Sequence, residues 1–251
     1  MKLKKSSNII VRLIVYLVGL FIIALGINVS KLATLGISPV SSIPGVLNKI
    51  FEDIHFTIGS LEIHVTLGVM VVVVYCLLVL AQLIVLGKNF KLSNALGVPV
   101  GFVFGYMVDL VGLDPKAFGH LLYTLNVPGP QSFGADEIGT FIISIVYLLL
   151  SIVIIGIGVY IYLKPSLVPM PAEGLALAIS AKRGKAFGNC KTIVDTSLIF
   201  IALVLQIIFL GGFATLNPFA HMSTAVVGIG TIVSALLVGQ VVKLIKKIFG
   251  K

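Results

Sequence analysis

Apolar residues in this 251-residue chain come in long blocks, without the polar stripe that a soluble helix keeps on its outer face. Windows of about 20 such residues, enough to cross ~30 Å of hydrocarbon as a helix, fall at 9–29, 68–87, 92–113, 138–163, 192–212 and 223–245. They predict six membrane-spanning helices. Two further blocks, Leu32 to Val46 and Leu167 to Ile179, are apolar but short; both carry Pro and Gly, the first also has Ser38, Ser41 and Ser42, and the second has Glu173. Each is expected to be a broken or re-entrant segment: an extended stretch at the prolines, then a half-helix with its N-terminus inside the membrane.

Composition agrees with this pattern. Hydrophobic residues make up 58% and charged residues 11%, against ~45–50% and ~25% in ordinary globular chains, so the chain could not cover its own surface with polar groups. The net charge of +9 does not point to nucleic acid, because basic residues in cytoplasmic loops produce the same total. In a six-span arrangement with the N-terminus inside, all of the 18 Lys and Arg except Lys31, Lys49 and Lys116 fall on the cytoplasmic side. A multi-pass plasma-membrane protein with both termini in the cytoplasm is expected. Charge alone also tolerates eight spans, with both short segments crossing. The first apolar run, Ile9 to Ile27, exceeds the ~7–15 residues of a signal-peptide core and reads as an uncleaved helix.

The two halves of the chain resemble each other. Ile14-Val15-Tyr16 returns as Ile145-Val146-Tyr147, Gly26 as Gly158, and Leu35-Gly36-Ile37-Ser38-Pro39 as Leu167-Val168-Pro169-Met170-Pro171. Further on, Leu67-Gly68 pairs with Phe187-Gly188, Leu86-Gly87 with Leu210-Gly211, and Gly105 to Leu110 with Gly239 to Leu244. The expected organisation is one all-α membrane domain of two three-span repeats, 1–113 and 138–251, joined by an external polar loop at 114–137. Three crossings per unit is an odd number, so the second repeat would sit inverted relative to the first.

These residues carry a resemblance. Gly26 with Leu35 to Pro39, the run Val168-Pro169-Met170-Pro171-Ala172-Glu173-Gly174-Leu175, Phe187-Gly188 with Lys191 and Asp195, and the run from Gly230 to Gly239 make the chain similar to the YczE/YitT group of bacterial integral membrane proteins. The stretch Glu52 to Thr66 is longer than that group leads one to expect. The resemblance implies a helical plasma-membrane protein, often suspected of transport, and supplies no substrate or catalytic residue.

Candidate chemistry gathers at the short segments. A half-helix N-terminus presents unpaired N–H groups and positive potential, and two of them meeting near the midplane would frame a solute site. Ser38, Ser41 and Ser42 in the first unit and Met170, Glu173 and Gly174 in the second are the candidate binding residues. Glu173 and Asp195 are the carboxylates expected to face the interior, where an acid marks a pathway or a proton site; capping of the half-helix by Glu173, and an i,i+4 ion pair of Lys191 with Asp195, are the structural alternatives. Asp109 reads as an ordinary interface residue. Gly97, Gly101 and Gly105 form a G-x-x-x-G series for helix contact, within the core or in a homo-oligomer. Cys76 and Cys190 have no CxxC partner, and His55, His64, His120 and His221 lack metal spacing. No nucleotide-binding or nucleophile motif occurs, so no metal, cofactor or enzymatic activity is expected. The leading expectation is a secondary transporter or facilitator of a small polar solute in the lipid bilayer; the alternative is an intramembrane accessory or scaffold protein.

Overall fold

The computed structural model describes residues 8–52, 54–58, 61–117, 119–134, 136–210 and 226–249. Helix α1 (Ile9–Leu32) is followed by the short α2 (Pro39–Ile50), an antiparallel hairpin of β1 (His55–Ile58) and β2 (Leu61–His64), and α3 (Leu67–Leu86). One-turn α4 (Leu92–Ala95) leads into α5 (Gly97–Leu110), and one-turn α6 (Leu121–Thr124) lies in the next connection. Then come α7 (Glu137–Leu163), the short α8 (Pro171–Arg183), α9 (Phe187–Leu210) and α10 (Ile229–Phe249). Among the described residues six helical segments are long and apolar enough to cross a membrane: α1, α3, α4 with α5, α7, α9 and α10. Helices α2 and α8, of 12 and 13 residues, extend only ~18–20 Å at ~1.5 Å per residue, well short of the ~30 Å core. Neither is a span. The last window, expected from 223, is described from Ile229 onward; Lys2, Lys4, Lys5, Gly211 and His221 lie outside the described residues.

Surface and interior invert the soluble pattern. Ile84, Ile208 and Leu236 are 79%, 66% and 68% exposed, while Asn28, Ser30, Gln82, Ser151, Gln206 and Thr231 are buried. Apolar surface on this scale needs lipid around it, and the polar side chains turn inward where other helices can hydrogen-bond them. The chain is a multi-pass membrane protein.

Helix α1 lies along α7 and also touches α5; α7 continues onto α10. Glycines set the α1–α7 separation. A Cβ at Gly26 would lie 2.6 Å from Ile155 Cγ1, one at Gly158 would lie 2.8 Å from the Ile23 backbone nitrogen, and one at Gly19 would lie 2.5 Å from that of Tyr162. Helix α3 packs on α5 in the same way: a Cβ at Gly101 would meet Tyr75 at 3.0 Å, and one at Gly105 would meet the Gly68 carbonyl oxygen at 2.5 Å. Gly97 faces Val79, so the G-x-x-x-G series faces α3 within the chain.

Two features depart from the sequence expectation. Asp109 is buried, and its carboxylate accepts hydrogen bonds from Thr66 Oγ1 at 2.6 Å and the Gly68 N–H at 2.8 Å, fixing the start of α3 to the end of α5. It is not an ordinary interface residue. The connection expected to be a polar loop, 114–137, includes α6, whose Leu122 is buried while its N–H donates to the Val111 carbonyl at 3.3 Å.

Helix α9 holds the segment before α10 through one side chain. Gln206, buried, accepts from the N–H groups of Val226 and Val227 at 2.9 and 2.8 Å and donates to the Val227 carbonyl at 3.2 Å. Gln206→Leu keeps the volume and orphans three backbone groups. It is expected to destabilise the protein by about 2–3 kcal/mol, since each buried group left unpaired costs ~1–3 kcal/mol and partial relaxation recovers some of it. Thermal unfolding of the detergent-solubilised variant measures this; a midpoint equal to that of the unsubstituted protein would rule the clamp out.

Candidate functional site

The second short segment is shaped by its prolines. Val168 and Met170 each precede a proline, a position that disfavours helical backbone, and Met170 is extended at φ −59°, ψ 150°. Pro171 then occupies the first helical position, where a missing N–H costs nothing. The first i to i−4 bond of α8 runs from the Gly174 N–H to the Met170 carbonyl at 2.8 Å. Three carbonyls at and beside this break accept from side chains of other helices. Arg12 donates to the Pro165 carbonyl from Nη2 at 2.6 Å and Nε at 3.2 Å, Tyr16 Oη donates to the Val168 carbonyl at 2.8 Å, and Gln82 Nε2 donates to the Pro171 carbonyl at 3.0 Å. Irregular backbone between membrane helices survives only when it is satisfied in this way. A Cβ at Gly174 would lie 2.8 Å from Gln82 Nε2, so glycine is what lets α8 dock on α3 at that level.

Arg12, Tyr16 and Gln82 were not among the residues predicted for the site. Arg12 reads in the sequence as one more cytoplasmic cation, and Tyr16 as part of a repeat. Gln82 did leave a signal: it is the lone carboxamide in the apolar helix α3, and like Gln206 in α9 it stands four residues before the Leu-Gly that closes its block.

The first short segment is held differently. Gly36, at φ +119°, takes a conformation that favours glycine and lies where a Cβ would meet Thr231 Oγ1 at 2.6 Å. The Ile37 N–H donates to the Val226 carbonyl at 3.1 Å, and the Gly230 N–H donates to the Leu35 carbonyl at 2.8 Å. Ser38, Ser41 and Ser42 are all buried. The Ser42 hydroxyl donates back to the Pro39 carbonyl at 2.6 Å, so it serves its own helix. Of the predicted set, Gly174 alone lines the cavity between α3, α4 and α8; Ser38, Ser41 and Ser42 do not.

Glu173 lies on the first turn of α8, half-buried, within electrostatic range of Tyr16, Tyr75, Lys191 and Asp195. Its carboxylate makes no hydrogen bond or ion pair among the described residues. Lys191 and Asp195 pair at 2.8 Å along one face of α9, each about a quarter exposed. The hydroxyls of Tyr75 and Tyr162 are buried without a hydrogen-bond partner among the described residues, and the Tyr162 ring meets that of Tyr16 edge-on at 5.9 Å. Buried polar groups are rarely left open. An unpaired carboxylate and two unpaired hydroxyls in the neighbourhood of the α8 tip can bind water, a proton or a small polar solute. Among the described residues no group of three or more His, Cys, Asp and Glu is placed to hold a metal ion.

The chain belongs to a family of unknown function, DUF6198, whose profile matches residues 10–247. Neither the curated proteins nor the solved structures compared with it include a match.

Proposed function

We propose that this chain is a secondary transporter or facilitator of a small polar solute, built from two inverted three-span units in the plasma membrane with both termini in the cytoplasm. The observation that carries the reading is the broken segment before α8: a half-helix tip among the spans, its backbone held by Arg12, Tyr16 and Gln82, with the Glu173 carboxylate and the hydroxyls of Tyr75 and Tyr162 left unpaired. A scaffold has no need to keep unsatisfied polar groups there, whereas a solute path does.

The paired contacts support the duplication. The shift that takes Gly26 to Gly158 also takes Ile23 to Ile155 and Pro39 to Pro171. Gly26 meets Ile155, and Gly158 meets Ile23, which is the reciprocal contact expected across a two-fold axis. Helix α2 packs on α9 as α8 packs on α3. Pro39 and Pro171 each open their half-helix at the first position.

In this reading Glu173 is the coupling group. A solute found by thermal stabilisation of the purified protein should enter proteoliposomes faster when a pH gradient is imposed. Glu173→Gln keeps the shape and removes the titrating proton; it is expected to abolish the gradient's effect while the protein still unfolds cooperatively. An unchanged pH dependence in that variant would remove the coupling role. A screen of neutral and charged metabolites with no stabilising solute would remove the transport reading itself.

A further inference from the structure

A cavity of about 360 Å³ opens between the end of α3, its connection through α4 to α5, and α8. That volume lies within the ~300–1,000 Å³ of small-molecule sites. At its inner end are Gln82 and Gly174, and toward the outside are Asn89, Lys91, Ser93 and Asn94. A second cavity of about 510 Å³ shares Leu86, Asn89, Lys91 and Ala181 with the first and adds Lys88 and Lys182. The two share part of their lining, with Lys88, Lys91 and Lys182 around the second and the buried Gln82 carboxamide deep in the first. No Asp or Glu lines either cavity. Lys88, Lys91 and Lys182 have no carboxylate partner among the described residues.

The positive-inside rule accounts for lysines on this side of the membrane. It does not require that lysines from two separate parts of the chain, the α3–α4 connection and the end of α8, converge on the same cavity. Three ammonium groups around one opening make it a region of positive potential that favours an anion. The cations that line the two cavities are lysines, which act as point charges and are well suited to phosphate oxygens. Asn89, Asn94 and Ser93 add neutral hydrogen-bonding groups beside them.

We infer that the Lys88, Lys91 and Lys182 opening, with the cavity behind it, is a binding site for a phosphate-bearing anion. The phosphate lies among the ammonium groups, and the uncharged remainder of the ligand points toward Gln82 and Gly174. It has two possible sources: a soluble phosphate monoester or the headgroup of an anionic lipid. Binding here is separable from translocation, so the inference goes beyond the transport reading.

The test uses the full chain at constant ionic strength. In one arm, thermal unfolding in neutral detergent is followed against glycerol phosphate and inorganic phosphate, with chloride as reference. In the other, the chain is compared in phosphatidylcholine nanodiscs with and without phosphatidylglycerol. Lys91→Gln and the triple Lys88→Gln, Lys91→Gln, Lys182→Gln are set beside a control triple, Lys243→Gln, Lys246→Gln, Lys247→Gln, which removes the same charge from the end of α10. Stabilisation by the soluble phosphates marks a free solute, and stabilisation by phosphatidylglycerol alone marks a headgroup; either supports the site. Apparent affinity should fall at least about tenfold in the cavity triple, in part in Lys91→Gln, and stay unchanged in the control. No stabilisation in either arm, or an equal loss in the control triple, would overturn the inference. Gradient-driven uptake without phosphate binding would sink this site alone; phosphate binding without uptake of any solute would sink the transport reading alone.

Discussion

Gly158→Leu is expected to prevent the chain from reaching its native fold, at a loss above about 4 kcal/mol, the range reached only by severe core disruptions. The reason lies in what surrounds the missing Cβ. It would stand 2.7 Å from Ile23 Cγ1, 2.8 Å from the Ile23 nitrogen and 3.0 Å from the Gly19 carbonyl oxygen. Two of these atoms are backbone of a facing helix and cannot rotate away, so α1 and α7 would have to separate. Between membrane helices, close approach of small residues is itself the attraction, and separating the pair loses it along much of its length. The measurement is the yield of monodisperse protein in detergent and its unfolding midpoint, with Gly188→Ala as the control, since no atom lies within 4 Å of a Cβ there. A Gly158→Leu protein that unfolds at the usual temperature would refute the close α1–α7 crossing.

Asp109→Ala is the second large effect, at about 3–5 kcal/mol. The carboxylate accepts one hydrogen bond on each oxygen, from Thr66 and from the Gly68 N–H, and bonds to a charged acceptor are worth ~1.5–3 kcal/mol each. Its removal leaves the Gly68 N–H and the Thr66 hydroxyl without their acceptor, facing the gap that the carboxylate filled in the close α3–α5 contact. Asp109→Asn retains an acceptor and the shape, and should recover part of the loss. Hydrogen exchange at the first turn of α3 localises the effect. Protection there that is equal in the alanine variant and the native protein would show that the carboxylate does not hold this helix.

Much of the architecture was legible in the sequence. Six apolar blocks long enough to cross a bilayer became six helical segments of that length, because in lipid the backbone must satisfy itself and a long apolar run has no other stable form. The prolines of the two short blocks marked where helix begins: α2 opens at Pro39 and α8 at Pro171. The tandem glycines of α5 announced close contact without naming a partner, and α3 is that partner.

The site was legible only in outline. Glu173 and Gly174 stood out because charge and glycine are unusual in a proline-bounded apolar block. Arg12, Tyr16 and Gln82 did not, because the carbonyls they bind belong to a segment about 90 to 150 residues away. Asp109 was misread for the same reason: near a span end an acid looks solvated, and only its distance to Thr66 and Gly68 shows otherwise. Lys88, Lys91 and Lys182 counted in the sequence merely as cytoplasmic charge.

Residue order alone sets what solvent the chain lives in, how many long helices it forms and where the short ones start. These follow from local free energies of burial, helix length and proline stereochemistry. Which helices touch, which buried polar groups are satisfied and which stay open, and where separate lysines meet around one cavity were decided by the tertiary structure alone. Those outcomes depend on the distance in space between residues far apart in the chain: a hydrogen bond needs its partners within about 3 Å, and charge interactions weaken with separation.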